Sequence, residues 1–253
     1  MIAFQWLEKA QQTMSRIGAT QTEPICRAAE WMADSIQAER WVHTFGCGHA
    51  TLPVEEMYPR IGSFVGFHPI IETPLSYFTH IVGDMGVNQF VFLERVEGYG
   101  TEIMKSHALD RRDTLWIFSH SGLNQVNIDV ALEARRQGLK VVATGSAAAF
   151  AEAKARHSSG YKLFELADAV IDTCVPAEDA AQELPGVPEK IGPLSTVGFV
   201  AVVWMTVATI AEILTARGVP LYIHPSHNAP GKGTPKERLE AALEEYKRRI
   251  FPA

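Results

Sequence analysis

Apolar residues recur along this chain at two periods, and the change from one to the other marks where the architecture changes. Over residues 3–17, Phe4, Leu7, Met14 and Ile17 fall near the spacing of one helical face. Thr22-Glu23-Pro24 supplies a polar cap and an early proline, which predicts a second helix through Ala38. From Arg40 a short apolar run repeatedly ends in Gly or Ser and passes into a helical pattern. WVHTF (41–45) leads into GCGHA and a helix from about Thr51 to Ile61. TLWIFS (114–119) leads into HSGLN and a helix to about Gln137. LKVVATG (139–145) leads into SAAAFAEAKAR, with Gly138 where a helix C-cap belongs. FHPII (67–71) and AVIDTC (169–174) are further candidate strands. Strands alternating with helices of ten to fifteen residues predict an α/β fold, a parallel sheet covered on both faces. Val175–Pro193, with four prolines, reads as a long irregular loop, and Pro235 to Ile250 as a charged surface helix.

Composition narrows the function. The 253 residues are 47% hydrophobic, with 23 Lys+Arg against 29 Asp+Glu and a net charge of −6, which excludes a disordered chain and leaves no basic footprint for nucleic acid. A small molecule or another protein is the expected partner. Cys26, Cys47 and Cys174 lack any C-x-x-C spacing, so neither a disulfide framework nor a zinc ribbon is expected. The N-terminus reads as an amphipathic helix rather than a secretory signal, and the expected compartment is a reducing cytoplasm. Val197–Ala211 is apolar but shorter than the roughly 20 residues of a membrane span. It is expected to be a helix buried on nearly all sides, with no membrane as partner.

In such a sheet, ligands bind at the carboxyl ends of the strands, where a tight turn and the next helix N-terminus attract anions. Two turns have that form: Gly46-Cys47-Gly48-His49-Ala50 after the first strand, and Ser119-His120-Ser121-Gly122-Leu123-Asn124 after TLWIF. The same glycines and hydroxyls also suit an ordinary strand-to-helix turn with a helix cap. Two such turns in one sheet favour an anion pocket.

These turns, with the LKVVATGS strand, resemble the sugar isomerase (SIS) domain that binds phosphosugars. The likeness extends to HATLPVEEMYPRIGSF (49–64), ARHSSGYKLFELADAVID (155–172) and EKIGPLSTV (189–197), which resemble bacterial SIS proteins described as phosphosugar isomerases. It is more distant to N-acetylmuramic acid 6-phosphate etherase and phosphoheptose isomerase. The resemblance implies a three-layer αβα sandwich, flavodoxin-like, with a five-stranded parallel sheet. No linker, low-complexity tract or composition shift splits the chain, so one domain over residues 1–253 is expected, with an N-terminal helical segment (1–39), a core (40–217), and a C-terminal loop and helix (218–253); the resemblance implies that the N-terminal helices serve oligomerisation. A homodimer or homotetramer with sites near protomer interfaces follows. Carried over by motif, Ser119, Ser121, Gly122 and Asn124 hold the phosphate, with Gly48 and the helix after it closing the other side; Gly46, His49 and His120, in the same two turns, are further ligand candidates. Thr144, Ser146, Ser195 and Thr196 reach the sugar hydroxyls. Ser195 equally suits a helix cap.

Proton transfer between C1 and C2 of an open-chain sugar needs a carboxylate within reach of both carbons. Glu55 or Glu56 is the expected base; Glu56 with Pro59 reproduces a spacing seen in the etherase. His157, in RHSSG, is a further catalytic candidate, and His224 and His227 lie in a loop that the family places near the site or a neighbouring protomer. No helix spacing suits a metal, so neither metal nor cofactor is expected. His43 and His68 are read as structural. Two positions depart from the family: Ala50 stands where a Ser is usual, and Leu123 where an arginine or small polar residue is usual. Protonated His49 or His120 could replace the missing donors. Three functions remain: an aldose–ketose isomerase acting on an anionic sugar through an enediol, a non-catalytic sugar-phosphate sensor or scaffold, and a hexose-phosphate etherase or lyase.

Overall fold

The computed structural model describes residues 1–57, 60–76, 86–228 and 230–251. Helices α1 (Ile2–Thr20) and α2 (Thr22–Gln37) open the chain. Strand β1 (Val42–Gly46) follows, then a single 3-10 turn over Gly48–Thr51 and a short α3 (Leu52–Glu55). Next come β2 (Phe67–Pro69), α4 (Thr73–Ser76), α5 (Gly86–Leu93) and α6 (Tyr99–Lys105). The central units are β3 (Thr114–Phe118), α7 (Gln125–Arg136), β4 (Lys140–Gly145) and α8 (Ala147–Glu152). After α9 (Leu163–Leu166) and β5 (Ala169–Asp172), a hairpin of β6 (Ala180–Leu184) and β7 (Val187–Pro193) precedes the long α10 (Ser195–Ala216) and α11 (Pro235–Ile250).

The sheet is parallel in the order β2-β1-β3-β4-β5. Its residues alternate between two apolar layers, as the strand period of two requires. Val42, Trp116, Phe118, Val142 and Ile171 face the core made with α2 and α10, while Phe45, Leu115, Ile117, Val141 and Ala143 face that made with α6, α7 and α9. Both faces are covered, which is why TLWIF reads as an unbroken apolar run and is buried throughout. The result is the expected three-layer α/β sandwich.

Four expectations are corrected. Residues 180–193 are a hairpin, not an irregular loop: Pro185-Gly186 turns the chain, Gly186 takes φ +78°, and the strands pair antiparallel from Leu184↔Val187 to Ala180↔Pro193. The prolines that suggested a loop occupy the turn and the edges of an isolated two-stranded ribbon, where a missing N–H costs little. The helix expected to reach Ile61 stops at Glu55; Tyr58 and Pro59 lie outside the described residues. The helix after Ser146 ends at Glu152, leaving 153–162 as an extended connection. Finally, α10 has 22 residues, long and apolar enough to cross a bilayer by length and composition alone. It packs one face on the sheet through Phe199, Val202, Val203, Val207 and Ile210, while Val200, Ala201, Trp204 and Met205 are half-buried and Ala208 is exposed. It is therefore two-sided rather than enclosed all round.

Candidate functional site

Both glycine-containing turns stand at carboxyl ends of neighbouring strands. A Cβ at Gly46 would strike the Ala50 carbonyl, so the backbone doubles back tightly there, and Gly48 adopts φ +61°. The Cys47 thiol is buried and donates to Asn127 Oδ1 at 3.3 Å; burial, with the Glu94 charge nearby, pushes it far above its ordinary range. Cys47 is thus inert packing, not a nucleophile.

The second turn is built for exposure of donors. Ser119 Oγ accepts from Gly122 N at 3.2 Å, and Gly122, at φ +68°, lies against Leu163, Phe150 and Phe164. This internal bond uses one lone pair of the Ser119 hydroxyl and orients the turn, leaving its O–H free to donate. Among the described residues no acceptor meets the main-chain N–H groups of Ser121, Leu123 or Asn124, nor does the Ser121 hydroxyl have a partner. Ser121 opens onto a cleft of about 500 Å³ whose other wall carries Lys154 and Arg156 on the extended segment after α8, with the carboxylates of Glu152 and Glu178 at its margin. Neither cation has an ion-pair partner among the described residues. Leu123, the departure noted above, is buried and contributes packing.

Other candidates serve the frame. Thr144 Oγ1, fully buried, accepts from Trp116 Nε1 at 2.8 Å. Ser146 caps α8 by accepting from Ala149 N at 3.1 Å and donates to the Val175 carbonyl at 2.6 Å. Asn124 donates through Nδ2 to Glu94 Oε2 at 2.5 Å. Thr196 is half-buried in the first turn of α10.

Ser195 belongs to a chain of three groups. It donates from Oγ to Asp179 Oδ2 at 2.6 Å, while the Leu194 and Ser195 amides donate to Oδ1 at 2.9 and 2.7 Å. Asp179, at φ +65°, thereby caps the N-terminus of α10 from the hairpin. His49 Nε2 lies 3.2 Å from Ser195 Oγ. With Ser195 donating to Asp179, His49 must donate from Nε2. Desolvation lowers the His49 pKa, the Asp179 charge raises it, and the His120 charge lowers it again. The net depression disfavours a protonated His49 as replacement donor. His120 Nε2 meets the Ala177 carbonyl at 3.0 Å, leaving Nδ1 buried with no partner among the described residues.

The expected catalytic groups are not gathered here. Glu56 pairs with Arg60 Nε at 2.7 Å and accepts from Trp204 Nε1 at 3.1 Å. Trp204 is nine residues beyond Ser195, about 13 Å along α10 at ~1.5 Å per residue. Within this chain Glu56 therefore lies down the helix from the turns, and Glu55 is exposed. His157 accepts at Nδ1 from Ser159 N (3.0 Å) and meets Asp129 Oδ1 through Nε2 at 3.1 Å, tying its loop to α7. His224 borders a separate cavity of about 590 Å³ with Ile61, Tyr222 and Pro225.

Sequence reasoning missed Lys154, Arg156, Asp179 and Glu94. The first two stood in AEAKAR, which reads as helix; Asp179 and Glu94 reach the site only through tertiary folding.

The chain is similar to known proteins over most of its length. The SIS domain pattern matches residues 5–146. A UPF0309 protein of Oceanobacillus iheyensis is 31% identical over 246 residues, covering 97% of each chain, and one of Thermoanaerobacter pseudethanolicus is 32% identical over 251, covering 98% of each. Among solved structures, a phosphoheptose isomerase from Francisella tularensis superposes with TM-score 0.54 at 14% identity, over 83% of this chain and 96% of that one. The Neisseria gonorrhoeae phosphoheptose isomerase gives 0.51 at 16% identity, over 81% and 94%. At such identities these two likenesses speak for the fold, whereas the pattern match and the closer relatives carry the assignment: this chain belongs to the SIS domain family.

Proposed function

We propose that the protein binds a phosphorylated or otherwise anionic sugar at the Ser119–Asn124 turn and interconverts its aldose and ketose forms through an enediol. One observation carries this reading: Ser121 presents a hydroxyl and a main-chain N–H to a cleft faced by two unpaired cations, Lys154 and Arg156. Donors at the head of α7 attract an anion through the helix N-terminus, and the cations add charge-assisted bonds. The phosphosugar enzymes named among the structural neighbours make a sugar phosphate the first ligand to try. The SIS membership supports the same choice.

The engagement of Glu56 by Arg60 and Trp204 favours a second reading, a sugar-phosphate sensor without chemistry. Thermal-shift titration with arabinose 5-phosphate, glucose 6-phosphate, glucosamine 6-phosphate and sedoheptulose 7-phosphate tests binding; a ligand at 100 times its Kd stabilises by about 2.7 kcal/mol. Deuterium wash-in from heavy water, at C2 of an aldose or C1 of a ketose, then separates the readings. Exchange with ketose formation supports the isomerase, binding without exchange supports the sensor, and product release without ketose points to elimination.

Exposed Phe4, Leu7 and Met14 on α1 support self-association of the N-terminal helices.

A further inference from the structure

We propose that Glu94, not Glu55 or Glu56, carries the proton between C1 and C2 of the bound sugar, an assignment that rests on the isomerase reading above. Glu94 lies between α5 and α6, on the crossover from β2 to β3. Two bonds fix it at the head of α7: its Oε2 accepts from Asn124 Nδ2 at 2.5 Å, and its carbonyl accepts from Val126 N at 3.3 Å. The carboxylate is therefore held by the last residue of the turn that bears Ser121. It also acts electrostatically on Cys47 in the first turn. It is thus bonded to the second turn and acts electrostatically on the first.

Its surroundings suit proton transfer. Glu94 is half-buried, and desolvation raises its pKa against the opposing pull of Arg95 and Arg156; Cys47, buried and protonated, is the other titratable group facing it. A carboxyl lifted above the ordinary glutamate range holds a proton more readily, which suits a group that must both take and return one. Arg156 also lines the Ser121 cleft, so one residue adjoins both the anion wall and the carboxylate. One helical turn beyond Asn124, Asn127 is 1% exposed, accepts from Cys47 Sγ at 3.3 Å through Oδ1, and has no partner for Nδ2 among the described residues. A buried amide donor left unpaired in this way suits a sugar oxygen brought beside Glu94.

In the forward direction the Glu94 carboxylate takes the proton from C2. The C–H electron pair forms the C1=C2 bond, and the carbonyl π pair moves to O1, which takes a proton from water. The enediol then loses the O2 proton to water as C2=O forms, and C1 takes the proton from Glu94. C1 is reduced and C2 oxidised within one molecule, so no external redox partner is consumed.

The test measures thermal shift on the full chain with the four sugar phosphates named above, and deuterium exchange at C2 of the aldoses or C1 of the ketose. Glu94→Gln keeps an oxygen for Asn124, so it should retain the thermal shift while exchange falls at least about 100-fold. Glu94→Asp, which withdraws the carboxylate by one methylene, should give an intermediate rate with the wild-type pH limb preserved. Wild-type exchange that survives Glu94→Gln, or that Glu56→Gln abolishes instead, overturns the assignment and leaves the isomerase reading standing. Loss of thermal shift and exchange together in Glu94→Gln also overturns it, making Glu94 a support for the turn. Wild-type binding without exchange defeats the isomerase reading itself, and the Glu94 role with it.

Discussion

Asp179 and Ser195 close the neck of the hairpin: the carboxylate of one receives the hydroxyl and the amide of the other, at 2.6 and 2.7 Å. Asp179 directly precedes β6, and Ser195 lies two residues beyond the end of β7, so this pair joins the two ends of the ribbon and caps α10 in the same contact. His49, from the first turn, leans on the same hydroxyl. Asp179→Ala removes the acceptor of three donors, and leaving such groups unpaired costs about 1–3 kcal/mol. Urea denaturation should show that loss, with Asp179→Asn intermediate. An unchanged midpoint for Asp179→Ala would mean that water serves these donors equally well.

Ser121→Ala should weaken sugar-phosphate binding without altering the melting temperature of the free protein. A hydrogen bond to a charged group is worth about 1.5–3 kcal/mol, roughly a 10- to 100-fold change in Kd. Calorimetric titration is the measurement. Equal affinity in the variant would show that the hydroxyl faces solvent only.

Lys154→Ala and Arg156→Ala should each weaken binding by about tenfold or more, from the same charged hydrogen-bond range. Exposed charges are screened over about 8–10 Å at physiological salt, so wild-type affinity should fall with added salt and the variants should lose part of that dependence. Identical salt slopes in wild type and variants would exclude both cations from the anion site.

How much of this was visible beforehand differs by element. The strands WVHTF, TLWIF and LKVVATG were legible because a sheet covered on both faces demands continuous apolar runs, and α2 because a polar cap and an early proline announce its start. The hairpin was not: its outward residues are charged, its inward ones few, and its prolines argue locally against a strand. At the site, the two turns were legible as glycine and hydroxyl clusters, but the chemistry of each hydroxyl was not. Thr144 looks like Ser121 in sequence, yet Trp116 occupies its oxygen, and Ser146 is used as a cap. Glu94 sits in LERVEGYG, an unremarkable polar link whose importance depends on Asn124, 30 residues later.

Stability should fall on mild acidification through a cluster remote from the turns. His68 lies edge-on to His43 and His107, at centroid separations of 5.2 and 5.7 Å, and against Trp41 and Tyr246. Burial first, then the charges of His43 and His107, push its pKa down to about 4 from 6.5, with Asp113 opposing. His107 is lowered for similar reasons. Between those values the unfolded chain binds more protons, so this stabilisation is complete above about pH 6.5 and is lost as pH falls toward 4. Melting temperatures from pH 7.5 to 4.5 should decline, and His68→Phe should flatten the decline. Parallel curves for wild type and variant would remove His68 from the account.

The strand order has its own consequence. From β1 the chain steps outward to β2, then returns past β1 to lay down β3, and thereafter moves away through β4 and β5. The connections leaving β1 and β3 part in opposite directions, and a gap opens between them at the top of the sheet. That opening is set by the route of the backbone rather than by the residues bordering it. Replacing its lining can therefore change which guest is accepted while the vestibule itself persists, which makes this position a natural place for related chains to diverge in specificity without refashioning their interiors.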